Sequence, residues 1–197
     1  MNRIFVPSKK EVWSTFAREM RGSYSDGSPT ENDMVRWSYK EWSFLLDSIA
    51  RSSERQNTHT RLRAAFLHKK KLRFRISAKS YLAQLLGLRG ISTGDDSLEK
   101  VFLIKGSNEE LLIKLMESSG LVKQLKKLPY LKLKVTHGSG GWFGLHYPSE
   151  ISVLHLEYPG QGLEKVILKD LSKVCQEVLD RLVEIDAASS KNPDFTL

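Results

Sequence analysis

The chain has 197 residues, of which 40% are hydrophobic and 27% are charged. This composition excludes an intrinsically disordered chain, because enough apolar surface is available to offset the entropy lost on folding. A globule of this size buries roughly 70% of the surface of its unfolded chain, so stability requires neither a disulfide nor a structural metal. We expect a single domain over residues 1–197, with weak subdivision near 93–99 as the alternative.

The amino-terminal sequence lacks a long apolar segment. Ile4, Phe5 and Val6 are followed by Pro7, whereas a secretory signal has an apolar region of about 7 to 15 residues. Nowhere do about 18 apolar residues run together, so we predict no transmembrane segment. The single cysteine, Cys175, cannot form an internal disulfide, which fits a reducing compartment. We therefore expect a soluble, cytoplasmic protein.

The positive charge is concentrated in one region. The chain carries a net charge of +8, and the segment from Arg51 to Arg89 holds eleven Lys or Arg against one acid, Glu54. That segment alone therefore carries +10. A basic region of this kind attracts acidic partners over long range, although it says nothing about the fold.

The first predicted element is a helix over residues 9–21. Ser8 and Glu11 form a capping-box pattern at its start, and Gly22 is suited to end it in a left-handed conformation. A loop rich in Ser, Gly and Asp follows up to Asp33. Two predicted strands come next, over 35–39 and 42–46.

Residues 58–77 show the clearest alternation in the chain. Leu62, Ala64 and Phe66 alternate with arginines, and the same pattern returns after the lysines at 69–71. Period-two alternation predicts strands. We predict a hairpin that turns at 68–70 and pairs Phe66 with Leu72, Ala64 with Phe74 and Leu62 with Ile76.

The second half is predicted to contain alternating helices and strands. The predicted helices are 78–86, 111–116, 121–127 and 167–185, and the predicted strands are 101–104, 131–135, 142–147 and 151–158. Ser107 and Glu110 form a second capping box before the helix at 111. Residues 93–99 are predicted to form a polar link, and residues 186–197 a frayed tail. This order predicts an α+β fold, an antiparallel sheet with helices packed on one face and a long C-terminal helix. The two halves have a similar order of elements, but no residue-level repeat supports a duplication.

The candidate anion-binding site lies on the predicted basic hairpin. It comprises Arg61, Arg63, Lys69, Lys70, Lys71, Arg73 and Arg75. An external polyanion could neutralise this face through phosphate contacts. We favour internal neutralisation by Glu41 and Asp47, whose parity places them on the same side of the neighbouring strand. The aromatic side chains needed for base stacking are missing from the predicted arginine face, which argues against nucleic acid.

Other motifs do not indicate catalysis or metal binding. His137, His146 and His155 recur every nine residues, but they fall on a turn and two different strands, so we predict no metal site. The glycine-rich residues 137–141 precede a strand and lack the lysine of a phosphate-binding loop. Cys175 lies on the apolar stripe of the last helix, where cysteine acts as a small hydrophobe. We expect no cofactor.

Several segments together resemble a group of uncharacterised bacterial proteins. They are TRLRAAF (60–66), FRI (74–76), TGDD (93–96), FLIKGSNEE (102–110) and GWFG (141–144). The resemblance covers about residues 13 to 185 and rests on turns, strand patterns and caps. It implies a bacterial, soluble protein of unknown function and supplies no catalytic or binding residues.

Three functional hypotheses follow. The leading one is a non-enzymatic module that binds a ligand or another protein, and it requires a cavity or an exposed apolar patch. The alternative is binding of a polyanion, either nucleic acid or an anionic membrane surface, through the basic hairpin. An enzyme with an unrecognised site is the third, and would require a deep pocket with two close, desolvated titratable groups.

Overall fold

The computed structural model describes residues 7–27, 32–50, 58–137, 147–160, 163–195 and 197. Within them, eight strands are arranged in one sheet: β1 (Ser23–Ser25), β2 (Met34–Tyr39), β3 (Trp42–Ala50), β4 (Thr58–Leu67), β5 (Phe74–Ala78), β6 (Phe102–Gly106), β7 (Lys132–His137) and β8 (Ile151–Pro159). The helices are α1 (Lys9–Glu19), α2 (Tyr81–Leu85), α3 (Asp96–Val101), α4 (Glu109–Met116), α5 (Ser119–Lys126) and α6 (Lys165–Glu184).

The strands follow the order β1-β2-β3-β4-β8-β7-β5-β6, and every neighbouring pair is antiparallel. The long helix α6 contacts β4 and β8 as well as α1, α4 and α5. The predicted α+β class is therefore confirmed, with an antiparallel sheet, helices packed against one face and a long C-terminal helix.

The main core lies between the helices and one face of the sheet, here called the helix face. Leu62 of β4 and Leu156 of β8 are buried there beneath α6, which contributes Val174 and Val178. Successive strand residues point to opposite faces, so the intervening residues of β4 and β8 lie on the other face. That other face, here called the open face, carries the basic residues that the sequence singled out.

Helix α1 begins as predicted but ends differently. The Ser8 and Glu11 side chains form the reciprocal capping box. At the other end Arg21, with φ of 55°, takes the left-handed position that was predicted for Gly22. The Gly22 amide donates to the Ala17 carbonyl, which completes a Schellman-type cap. Glycine is required at 22 because a Cβ there would lie 2.2 Å from the Arg36 carbonyl oxygen.

The predicted hairpin of residues 61–76 is wrong, because β4 and β5 are not neighbours. Strand β4 pairs with β3 and β8, and β5 pairs with β6 and β7. Two of the three predicted pairs nevertheless lie in the same rows across the sheet: Leu62, Leu156, Leu133 and Ile76 form one row, and Ala64, Leu154, Val135 and Phe74 form the next. The third pair, Phe66 with Leu72, is wrong because Leu72 precedes β5 and lies in no strand. The alternation of apolar and basic residues correctly predicted which side chains of each strand face the core. It did not predict which strands lie next to each other.

The predicted turn at 68–70 is replaced by contacts with the C-terminal segment. The Lys69 and Lys70 amides both donate to the Ala187 carbonyl, and His68 forms a bridge with Ala188. Residues after 186 were expected to fray, but Ala187 and Ala188 are fully buried and the Phe195 ring packs on Tyr147 at 5.5 Å. This segment covers Ala65, Ile151 and Val153 on the open face.

Smaller differences occur elsewhere in the chain. Strand β1 lies within the predicted loop. Helix α3 begins within the predicted polar link, where Asp95 accepts from the Leu98 amide, and it extends to Val101, which was predicted to begin the next strand. The N-cap of α4 is Asn108, one residue after the predicted Ser107. Strands β7 and β8 pair directly, and the strand predicted at 142–147 falls, except for Tyr147, outside the described residues.

Candidate basic face of the sheet

Basic residues form a row across five strands on the open face. Reading from β4 to β6, the row contains Arg63, His155, Lys134, Arg75 and Lys105. Arg63 and Arg75, predicted to lie directly opposite each other, are three strand spacings or about 14 Å apart. We therefore describe the row in two parts, Arg63 on β4 and the three cations on β5, β6 and β7. The two parts differ in whether carboxylates of the protein pair with their cations.

Asp47, a buried carboxylate on β3, forms ion pairs with both arginines of β4. Asp47 lies opposite Arg61 in the β3–β4 ladder, and its Oδ1 and Oδ2 accept from Arg61 Nε and Nη2 at 2.8 and 2.6 Å. Asp47 Oδ2 also accepts from Arg63 Nη2 at 2.8 Å. The side chains of Asp47 and Arg63 are only 7% and 11% exposed, so this cluster belongs to the interior of the protein.

Glu41, the second carboxylate expected to reach these arginines, lies exposed in the turn between β2 and β3. Among the described residues, no hydrogen bond or ion pair joins it to Arg61 or Arg63. Burial lowers the pKa of the Arg63 guanidinium, and the neighbouring Asp47 carboxylate opposes this shift. Two of the seven predicted anion-binding residues are thus committed to a structural ion cluster.

The other part of the row is a set of three cations on adjacent strands, here called the cationic triplet. It consists of Lys134 on β7, Arg75 on β5 and Lys105 on β6, paired side by side. Arg75 and Lys105 are exposed, and within the described ranges their side chains form no hydrogen bond or ion pair. The Lys134 ammonium lies 3.9 Å from the Glu157 carboxylate.

The remaining predicted basic residues lie near one end of the sheet. Lys69 pairs with Asp186 at 2.6 Å, although no internal partner was evident from the sequence. Lys70, Lys71 and Arg73 are exposed. They extend the positive surface beyond β5. Arg75 is the one residue of the predicted anion-binding site that belongs to the cationic triplet. The other two members, Lys134 and Lys105, were not predicted.

His137 and His155, two of the three spaced histidines, point to opposite faces of the sheet. His137 lies opposite Ser152 on the helix face, and its Nδ1 is 2.5 Å from the Ser152 hydroxyl, which is also 2.8 Å from His68 Nδ1. His155 lies on the open face, with Nε2 at 3.1 Å from the Thr136 hydroxyl. These two imidazoles therefore cannot share a metal ion, and His146 is outside the described residues.

The His155 environment predicts a pH-dependent loss of stability. Burial, followed by the positive charges of Lys134, Arg63 and Arg61, lowers its pKa to about 3, compared with about 6.5 for an unperturbed histidine. Below pH 6.5 the unfolded chain binds a proton that the folded protein does not, so stability falls as pH falls. We expect His155 to account for about 2 kcal/mol of the loss between pH 7 and pH 5.

Urea unfolding of the wild type and His155→Gln at both pH values measures this contribution. The variant should show a smaller loss between pH 7 and pH 5 by that amount. His137 titrates independently of this change, since burial and then the charges of His68 and Arg73 lower its pKa to about 4. An unchanged pH dependence in His155→Gln would show that His155 binds its proton equally well in the folded protein.

Two surface features meet the requirement set by the binding-module hypothesis. A cleft of about 610 Å³ lies between the end of α1 and strands β2 and β3, and its charged lining residues are Arg21 and Arg36. Guanidinium groups stay protonated, so these two do not form a general acid–base pair. The second feature is a group of exposed apolar side chains on and after α2, Tyr81, Leu82, Leu85, Leu86 and Leu88.

Cys175 is fully buried in the core, and burial raises the pKa of its thiol, which keeps it protonated and unreactive. Within the described segments, no three His, Cys, Asp or Glu side chains are arranged to hold a metal ion. Across the same segments, no helix has both the length and the apolar character required to cross a bilayer.

Comparison with known proteins adds no family to this description. No protein-family model matches the chain, and neither a curated protein nor a solved structure shows significant similarity to it. The resemblance to uncharacterised bacterial proteins therefore stays a prediction. The geometry of the open face is the basis for a functional proposal.

Proposed function

We propose that the protein is a non-enzymatic binding module and that its cationic triplet binds a polyanion that presents phosphate groups. One observation carries this proposal: Lys134, Arg75 and Lys105 stand side by side on three adjacent strands of the open face. The alternative hypothesis from the sequence is retained, but the site moves from the β4 arginines to strands β5, β6 and β7.

Like charges on directly opposed strand residues destabilise a sheet. Their Cβ atoms lie about 4.5–5.5 Å apart, and each such pair is unfavourable by a fraction of a kcal/mol. Arg75 takes part in two of these pairs, with Lys134 on one side and Lys105 on the other. An external anion relieves both repulsions at once, and among the described carboxylates Glu157 lies 3.9 Å from the Lys134 ammonium.

The exposed side chains suit contact with phosphate oxygens. Arginine presents its donors in a planar fork that matches a phosphate, and lysine acts as a compact point charge. Ser77, two residues from Arg75 on the same face of β5, adds a hydroxyl donor. Arg61 and Arg63 are excluded from this role because Asp47 already accepts from both.

Salt dependence of binding tests the proposal. The probes are a 20-nucleotide single-stranded DNA and vesicles that contain phosphatidylserine, each titrated between 50 and 200 mM salt. We expect the affinity for at least one probe to fall steeply, because each neutralised phosphate releases bound counterions. Failure to bind either probe at 50 mM salt, or binding that does not change with salt, contradicts the proposal.

A further inference from the structure

The exposed apolar side chains around α2 form a patch on one side of a short helix. Tyr81, Leu82, Leu85 and Leu86 are 78%, 65%, 69% and 69% exposed. Positions i, i+1, i+4 and i+5 of a helix lie within one arc of its circumference. Together with Leu88, these residues are here called the apolar tip. Burying a leucine side chain is favourable, so an exposed group of this size marks a contact surface.

The apolar tip is attached to the strands that carry the cationic triplet. Helix α2 follows β5 directly, and Ala78, the last residue of β5, is about 10 Å along the strand from Arg75. After the apolar tip, the chain returns to the sheet at Ile91, whose amide donates to the Ile104 carbonyl of β6 at 2.8 Å. Gly90 fits closely here, since a Cβ would lie 2.5 Å from the same carbonyl oxygen. The tip therefore stands at the end of the β5–β6 pair.

All charged residues in the sequence around the apolar tip are basic. Lys79 precedes it by two residues, Arg89 follows Leu88 directly, and no Asp or Glu occurs between Arg55 and Gly94. An apolar group flanked by cations matches an anionic lipid surface, where acyl chains accept the apolar side chains and headgroups attract the cations. Each Lys or Arg near such a surface strengthens this attraction.

The open face of β5, β6 and β7 favours lipid over nucleic acid. Its described residues are Arg75, Ser77, Leu103, Lys105, Lys132, Lys134 and Thr136, and none of these seven is aromatic. Single-stranded nucleic acid is usually held by bases that stack on aromatic rings. A bilayer surface requires no such stacking, because it presents anionic headgroups above an apolar layer.

We infer that the polyanion is an anionic bilayer surface, with the apolar tip inserted at the boundary between headgroups and acyl chains and the cationic triplet above the headgroups. This inference rests on the proposed function, and it adds the lipid identity and the role of α2. The membrane contact is peripheral, because the inserted group is a single short helix and the adjacent turn.

Vesicle binding of a tip variant tests the inference. The variant Leu82→Ser, Leu85→Ser, Leu86→Ser is compared with wild type by co-sedimentation with phosphatidylcholine vesicles that contain about 30% phosphatidylserine. We expect the partition coefficient to fall at least about tenfold, because three exposed leucines no longer enter the apolar layer. Val166, an exposed apolar residue in the first turn of α6, provides the control, and Val166→Ser should bind as wild type does.

A label reports insertion directly. Leu85→Cys is modified with an environment-sensitive fluorophore, while the buried native Cys175 stays unmodified. We expect a blue shift with the anionic vesicles and none with pure phosphatidylcholine. If the tip variant binds like wild type and the label does not shift, the role of α2 is overturned while the proposed function stands.

The remaining outcomes separate the two proposals. Salt-dependent binding to single-stranded DNA without vesicle binding overturns the lipid identity and retains the proposed function. Loss of DNA binding in the tip variant assigns α2 to nucleic acid and also overturns the inference. Binding to neither probe overturns both proposals together.

Discussion

Replacing Asp47 by alanine is expected to lower the free energy of unfolding by about 3–5 kcal/mol. Asp47 accepts three hydrogen bonds from Arg61 and Arg63, and its side chain is only 7% exposed. Removing it leaves the Arg63 guanidinium buried without its carboxylate partner. Such a loss is a large fraction of the stability of an ordinary domain.

The large predicted destabilisation by Asp47→Ala comes from the Arg63 guanidinium, which remains buried and charged. An exposed ion pair typically contributes less than about 1 kcal/mol, because water and salt screen it. A buried charge that loses its partner keeps the full desolvation cost. Arg63 is the more deeply buried of the two arginines, at 11% exposure against 24% for Arg61, so it accounts for most of the predicted loss.

Two comparisons make the prediction specific. Glu41→Ala removes an exposed carboxylate from the same β2–β3 hairpin, and we expect a change within about 0.5 kcal/mol. Adding Arg63→Met to Asp47→Ala removes the unpaired charge and should restore part of the stability. Urea unfolding curves of the variants provide the measurement. An Asp47→Ala protein as stable as Glu41→Ala would contradict the assignment of Asp47 as a structural counter-charge.

The second large effect is expected on binding. The variant Lys134→Gln, Arg75→Gln, Lys105→Gln should bind vesicles containing phosphatidylserine about a hundredfold more weakly than wild type. The estimate takes about 1 kcal/mol for each cation near an anionic surface and about 1.4 kcal/mol for each tenfold in affinity. Removing like charges from adjacent strands relieves repulsion, whereas Lys134→Gln also removes the ammonium 3.9 Å from the buried Glu157 carboxylate, so urea unfolding of the variant is measured beside its binding.

A charge-matched control separates the cationic triplet from net charge. Lys165, Lys169 and Lys173 lie on α6, which packs on the helix face of the sheet. Changing all three to glutamine alters the total charge by the same amount as the triplet variant. We expect the control to retain most of its affinity. Equal weakening by both variants would mean that overall charge, rather than the triplet, attracts the vesicles.

Local sequence patterns predicted the faces of the strands but not their neighbours. Alternation correctly placed Leu62, Ala64, Phe74 and Ile76 in the core, and it even assigned them to the correct rows. Nothing in residues 58–77 indicates that β8 and β7 lie between β4 and β5. Those strands are supplied by residues 132–159, and pairing at that separation depends on tertiary packing.

The same limit explains how the candidate site changed. Asp47 was predicted as a counter-charge because it lies in the strand next to β4, and this local pairing is confirmed. Lys105 and Lys134 could not be assigned to the site, because they join Arg75 only through β6 and β7. The alternating Lys132, Leu133, Lys134 and Val135 is the one local signal that pointed to a basic outward face on β7.

The start of α4 could not be predicted to the residue from the local sequence alone. The sequence offers Ser107 and Asn108 as adjacent candidates for the N-cap of α4, and both residue types are suitable. Ser107 instead accepts from the Arg73 amide and donates its own amide to the Arg73 carbonyl. This contact with the segment before β5 leaves Asn108 to cap the helix, so a tertiary interaction decides the boundary.

The dependence of the affinity for phosphatidylserine vesicles on salt, compared between wild type and the triplet variant, tests the central claim most directly. Affinity that comes from contacts between cations and anionic headgroups falls as salt concentration rises, because salt screens these contacts. Loss of three such contacts should therefore make the slope of log affinity against log salt concentration less negative. Equal slopes for the two proteins would contradict the claim that Lys134, Arg75 and Lys105 form the anion-binding surface.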